Sequence, residues 1–229
     1  PAALARRVVT SFAVDETELN EVFGRRMAQV HRLLRIGARY DVGPPGVQED
    51  GPVIHAANHR SMADLLFAAA AFHEWGQRIR CLAAASYFEK KGIGRLLSDL
   101  RCIPVEGAEV LQVATEVLEQ GMPIAIMPEG RLVGPEEWDE TGVGRPHPGV
   151  GRLALDTGLP VVVVGAAGTE ELWPKGRTAP RIRPWNRTLL TMRTRYLGPI
   201  EAEHSRDATA IIWDGVKTCV AEAEAARGG

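Results

Sequence analysis

A chain of 229 residues, 45% apolar and with a net charge of −2, can build a substantial core, which excludes a disordered segment and a polycation directed at nucleic acid. Cys81, Cys102 and Cys219 lie far apart with no C-x-x-C, which argues against a disulfide framework or zinc knuckle and for an intracellular compartment with three buried, inert thiols. PAALARRVVTSF at the N-terminus lacks an apolar core of signal-peptide length, and LLFAAAAF and LPVVVVGAAG fall far short of the roughly 20 residues of a membrane span. The expectation is a cytoplasmic protein, free or resting peripherally on the inner face of a membrane.

Residues 15–40 read as a helix. At about 100° per residue, Phe23, Met27, Val30, Leu33, Leu34 and Gly37 share one side and Arg25, Arg32, Arg35 and Arg39 the other. That basic face suits solvent, anionic lipid or an acidic carrier protein. VGPPGVQEDGP (42–52) is a loop by its Gly and Pro content. VIHAAN (53–58) reads as a short strand and SMADLLFAAAAF (61–72) as a helix; Ala68–Ala71 are small core residues or the wall of an acyl-chain tunnel. RCLAAASYF (80–88) and Leu100–Val105 are further strands. Val110, Val113, Ala114 and Val117 recur at helical spacing, closed by Gly121, and PIAIM (123–127) is a strand.

Beyond it, residues 132–149 form a long polar loop, GRLALDTG a short helix closed by Gly158, and VVVVG (161–165) a strand buried on both faces. The stretch 175–195 holds seven basic residues and no acid. It reads as a solvated loop and an edge strand with outward arginines, or as a patch for a donor's phosphates, a carrier protein or a membrane. Trp185, flanked by arginines, is expected to pack, with a lipid interface or an adenine as the functional alternatives. The alternation predicts a single α/β domain over 1–229: a central mixed, mostly parallel sheet flanked by helices, with an N-terminal helical segment (1–45), a core (50–200) and a C-terminal helix (201–229).

In a sheet covered on both faces, reactive groups gather where strands end and helices begin. ANHRSMADLL (57–66) places His59 and Asp64 at one such junction, and Glu129 and Arg131 follow the strand 123–127. Two polar strand exits point to one cleft. Residues five apart in a continuous helix diverge by about 140°, so this pair meets only if the helix begins between them. Ser61 as N-cap leaves His59 on the incoming strand and Asp64 in the first turn, where a carboxylate can hold the imidazole in one tautomer. The same residues also read as a capping box with Asp in the Glu position, His59 then being an ordinary hydrogen-bonded histidine. A third reading is a metal-dependent hydrolase using His55, His59 and Asp64, although the helical H-E-x-x-H pattern is absent. No G-x-S-x-G marks a serine hydrolase.

NHRSMADLL resembles the opening motif of the glycerolipid acyltransferases, the lysophosphatidate acyltransferases and their relatives. RCIPVEG, IMPEGR and HPGVGRLALDTGLPVVVVGAAGTEELWPKG resemble their second, third and fourth motifs, in order, from about residue 50 to residue 176. The resemblance implies transfer of an acyl group from a thioester, acyl-CoA or acyl carrier protein, to a hydroxyl, with no cofactor and no metal. It implies His59 as base and Asp64 as its partner, with Asn58, Arg60, Ser61, Glu129, Gly130 and Arg131 as substrate contacts. The implied partners are a thioester donor and an alcohol or lysolipid acceptor, with an acyl carrier protein and a membrane surface as candidates and no nucleic acid. An apolar tunnel for the acyl chain is expected to open from the cleft.

The sequence departs from those motifs twice. The third motif of relatives reads F-P-E-G-T-R; EGR here lacks the threonine, so Arg131 is one residue closer to Glu129. Gly107 ends IPVEG where relatives often carry an arginine. A phosphate is held by bidentate guanidinium contacts. With one donor missing and one shifted, an acceptor without phosphate is expected unless Arg60, Arg101 or Arg145 substitutes. The alternative is a non-catalytic lipid- or carrier-binding protein on the same fold.

Overall fold

A computed structural model of the chain describes residues 16–48 and 51–228. The first 15 residues, part of the expected N-terminal helical segment and the site of the signal-peptide reading, lie outside the described residues. In chain order the elements are α1 (Glu16–Gly37), β1 (Ala38–Val42), β2 (Ile54–Ala57), α2 (Ala63–Trp75), β3 (Arg80–Ala84), α3 (Ile93–Asp99) and β4 (Ile103–Val105). There follow α4 (Val110–Glu119), β5 (Ile124–Ile126), α5 (Gly149–Thr157), β6 (Val161–Ala167), α6 (Thr169–Leu172), β7 (Thr188–Gly198) and α7 (Ser205–Ala225). The strands form one sheet in the order β1-β7-β6-β2-β5-β3-β4. Every pairing is parallel except β6 with β7, so the expected α/β class, with a mixed and mostly parallel sheet, holds.

Burial on both sides explains why β6 is an unbroken apolar run: all seven of its residues are buried. Ile54, Ile124, Val161 and Val163 face Val117, Leu153, Ile212 and Val216 of α4, α5 and α7. Val162, Val164, Leu190 and Met192 face Phe67, Ala70 and Ala71 of α2 and Leu34 of α1. Ala69, Ala70 and Ala71 of α2 are therefore core residues, and Ala68 is half-buried. Phe23, Met27 and Val30 of α1 pack with Cys81, Leu97 and Cys102, and all three cysteines are buried. Helix α7 lies directly on β6, because a Cβ at Gly165 would come within 2.2 Å of the Cys219–Val220 backbone.

Several elements differ from the sequence reading. Helix α1 stops at Gly37, and Ala38–Val42 form an edge strand whose alternating burial had merged into the helical pattern. Leu33, assigned to the apolar side of α1, is 65% exposed. Strand β7 lies between β1 and β6 and is not an edge; its outward arginines are paired, Arg193 with Asp41 and Arg195 with Glu222. The strand from residue 80 ends at Ala84 in a 3-10 turn. Helix α3 escaped notice because glycines punctuate its start, where a Cβ at Gly94 would lie 2.0 Å from the Phe88 carbonyl oxygen.

The topology sets the working edge of the molecule. Strands β5, β2 and β6 are parallel neighbours, so their carboxyl ends, near residues 126, 57 and 167, open at one edge. Because β7 runs the other way and β1 follows β7, their first residues, near 188 and 38, lie at that same edge. Among the described residues no helix is long and apolar enough to cross a membrane.

Candidate active site

The adjacency of β2 and β5 joins the two polar strand exits into one place. Just beyond β2, Asn58 uses its side chain as a strand uses its backbone. Its Nδ2 donates to the Ala166 carbonyl and its Oδ1 accepts from the Ala166 N–H, both at 2.9 Å. This lets the main chain leave the sheet at His59. The His59 peptide is then held from both sides: its N–H donates to the Glu129 carboxylate, and its carbonyl accepts from the Val133 N–H at 3.0 Å. Ser61 is fully buried; its Oγ accepts from the Ala63 N–H at 2.9 Å and donates to the Trp173 carbonyl at 2.7 Å. Helix α2 begins at Ala63, two residues later than the sequence suggested and with Met62 in place of Ser61 at its N-cap, and Asp64 remains in its first turn.

The two side chains of the junction meet. Asp64 Oδ2 lies 2.9 Å from His59 Nδ1 and accepts the N–H groups of Arg60 and Ser61 at 2.8 Å each. Oδ1 accepts the Thr169 hydroxyl. The bond from the Ser61 N–H to the carboxylate, one half of the expected capping box, and the imidazole clamp are thus one arrangement, not rival ones. An ionised carboxylate only accepts, so Nδ1 carries the imidazole proton and Nε2 the lone pair. Among the described residues nothing bonds to Nε2, and the His59 side chain is 22% exposed. Such a group can take a proton from a hydroxyl that reaches it.

Glu129, Gly130, Arg60, Asn58 and Ser61 were expected as substrate contacts; the structure gives them to the protein itself. Glu129 is buried, its second oxygen accepting the Gly144 N–H at 2.7 Å. Burial pushes its carboxyl up to about 7, against the opposing pull of the Gly144 and His59 N–H groups. Gly130 makes the turn that aims it, at φ +68°, where a Cβ would lie 3.1 Å from the His147 ring. Arg60 is 2% exposed. Its guanidinium lies 4.3 Å from the Trp138 ring centroid, donates to the Gly142 carbonyl at 2.8 Å and pairs with Glu224 of α7. These bonds engage its Nε and Nη1. Arg101 precedes β4 at the opposite edge of the sheet, and Arg145 is exposed beyond Gly144.

Arg131 does reach solvent, in the middle of the 129–133 strap that holds His59. It is already bonded by both nitrogens to the Glu137 carboxylate. Sequence reasoning missed three contributors. Thr169 follows Gly168 at the exit of β6, the third strand to end here, so the strand-exit rule extended to β6 would have found it. Lys175, hidden in the basic run, bonds Glu136 and Glu137 at 2.9 and 2.8 Å. The polar loop 132–149 supplies Trp138, Gly142 and Gly144 and is ordered by Asp139, which accepts the Thr141 N–H at 2.8 Å.

The metal-hydrolase arrangement is not assembled. His55 is buried, its ring edge-on to Phe72 at 5.1 Å and its Nδ1 3.3 Å from the Ile124 carbonyl oxygen. Among the described residues no three His, Cys, Asp or Glu side chains gather to hold an ion. Two small cavities, one beside His55, Phe72 and Gln77 and the other among Phe23, Met27 and Leu100, are lined by neither His59 nor Asp64, so neither is the expected tunnel from the cleft.

Comparison with known proteins gives the family and the fold. The Acyltransferase family model matches residues 41–166, which contain His59, Asp64, Glu129 and Arg131. The crystal structure of the 1-acyl-sn-glycerophosphate (LPA) acyltransferase PlsC from Thermotoga maritima superposes with a TM-score of 0.69. The match covers 98% of this chain and 88% of that one at 19% identity, a likeness of fold. No curated protein sequence matched the chain.

Proposed function

The chain belongs to the acyltransferase family, and from that premise we propose that it transfers an acyl group from a thioester, acyl-CoA or acyl carrier protein, to the hydroxyl of a lysolipid or other alcohol. His59 is the general base and Asp64 its orienting carboxylate. The observation that carries this reading is the 2.9 Å contact between His59 Nδ1 and Asp64 Oδ2, which leaves Nε2 as the free acceptor. The acceptor hydroxyl gives its proton to Nε2 as its oxygen bonds to the thioester carbonyl carbon. The tetrahedral intermediate collapses with cleavage of the carbon–sulfur bond, and the imidazolium returns the proton to the leaving thiolate. Ester and free thiol result, with no acyl-enzyme. A non-catalytic binding protein on the same fold has no use for so elaborately held an imidazole.

The surface beside this site supports a peripheral stay on the inner face of a membrane. Leu33, Ile36, Ile182 and Trp185 are exposed, Trp185 by 85%. They form one region: Ile182 lies against Gly37, and Arg187 donates to the Arg35 carbonyl at 3.4 Å. Exposed Arg32, Arg35, Arg183 and Arg187 surround it. Residues 37 and 187 immediately precede β1 and β7 and so share the sheet edge of His59. Apolar side chains ringed by arginines suit anionic lipid better than an acidic carrier protein.

The deciding experiment offers purified protein acyl thioesters of several chain lengths with a pool of alcohols, follows thiol release and identifies products by mass. Wild type should form esters, and His59→Ala, still folded, should lose about 10²–10⁴ of the turnover. Near-wild-type activity in that variant would remove the assignment.

A further inference from the structure

Two cations stand at the rim of His59. Arg131 is the middle residue of the strap whose ends hold the His59 peptide. Lys175 follows Trp173, whose carbonyl is held by Ser61 of the same junction. One carboxylate engages both. Arg131 Nη1 donates to Glu137 Oε1 at 2.9 Å and Nη2 to Oε2, a fork against a fork, while Lys175 Nζ lies 2.8 Å from the same Oε1. Glu136 takes Lys175 at 2.9 Å from the other side.

A bidentate carboxylate uses the guanidinium donors that a phosphate monoester would use. With two positive and two negative side chains the rim carries no net charge. The turn that presents the acids, Pro135–Glu137, is also fixed at its end. The next residue, Trp138, lies over the Arg60 guanidinium and donates from Nε1 to the Val133 carbonyl at 3.0 Å. That anchor fixes the backbone from which the Glu137 side chain reaches Arg131 and Lys175. Arg131 and Lys175 hold its carboxyl down to about 2, so it stays charged across the physiological range.

Resting on the acyl-transfer reading, we infer that Glu137 closes the anion site of Arg131 and Lys175 and thereby selects an acceptor whose hydroxyl has no phosphate beside it, such as a neutral glycerolipid.

The test uses the full chain, acyl-CoA, and two acceptors alike except for the phosphate: a monoacylglycerol and lysophosphatidate. Wild type should prefer the monoacylglycerol. Glu137→Gln should shift the ratio of kcat/KM toward lysophosphatidate by about five-fold, through KM, and Glu137→Gln/Arg131→Ala should return it. An unchanged ratio in the single variant, or a shift that survives loss of Arg131, overturns the inference. Binding of inorganic phosphate, followed by ³¹P NMR line width, separates it from the parent reading. Phosphate should bind Glu137→Gln more tightly than wild type, and the gain should vanish with Arg131→Ala. That gain without thiol release from any form rejects acyl transfer and keeps the closed anion site; no gain rejects the closed site whatever the turnover.

Discussion

Asp64 Oδ2 serves His59 Nδ1 at 2.9 Å while also capping the two peptides that follow His59. One atom thus ties the imidazole's tautomer to the start of α2. Asp64→Asn should reduce turnover by about 10²–10⁴, because an amide does not enforce the Nδ1–H tautomer. It should also lower stability by about 1–2 kcal/mol, the scale of a lost cap. His59→Ala should show the first loss without the second, since its ring takes part in no other hydrogen bond among the described residues. Thiol-release kinetics beside thermal unfolding of both variants checks this. Equal destabilisation by the two would deny the shared role of the carboxylate.

Thr169 donates to the other Asp64 oxygen from a fully buried position. Valine keeps its shape and removes the donor. Hydrogen bonds to charged groups contribute about 1.5–3 kcal/mol, so Thr169→Val should melt earlier. Thr169 is a positioning residue, and kcat should fall roughly ten-fold with KM little changed as the carboxylate loses its second anchor. Thr169→Ser should restore both. A melting shift with unaltered kcat would confine Thr169 to structure.

Much of this was legible because period and position coincided. VVVVG announced a doubly buried strand, and the His59–Asp64 spacing had meaning only if a strand became a helix between them. The burial of Arg60 was not legible, because an arginine beside a base reads as a ligand group. Its burial depends on Glu224, 164 residues away, and on Gly142, whose φ of +75° brings a carbonyl to Nε and where a Cβ would strike Nη2 at 2.2 Å. Glu137 and Lys175 were equally invisible: each is an ordinary surface charge until the loops carrying them are folded together. Trp185, expected to pack, stays in solvent because the loop around it turns back through the Arg183 carbonyl to Asn186 and leaves the ring outside.

Glu129 ties stability to pH in an unusual direction. Its folded-state value of about 7 lies above the ordinary 4.5, so the folded chain binds the proton more tightly than the unfolded chain. Its contribution is fully present below pH about 4.5, is lost as pH rises through about 7, and levels off beyond. The difference amounts to roughly 3 kcal/mol over that window. Urea titrations of wild type and Glu129→Gln at pH 5 and pH 8 should show the variant gaining relative to wild type at the higher pH. A difference that shrinks toward pH 8 would mean that the two N–H bonds outweigh burial.

The exposed Trp185 and Ile182 give the membrane reading a test independent of chemistry. Burying one large apolar side chain stabilises by about 1.5–3 kcal/mol, so Trp185→Ser should cut the fraction bound to anionic vesicles about ten-fold or more. Arg183→Gln/Arg187→Gln should weaken binding to anionic vesicles and leave neutral ones unaffected, and added salt should mimic it. Activity on a water-soluble short-chain acceptor should survive all three changes, because none touches the His59 junction. Co-sedimentation with vesicles of graded anionic content measures the first two effects and thiol release the third. Equal partitioning of wild type and Trp185→Ser would remove the membrane from the function of this face and leave its arginines to the donor's phosphates.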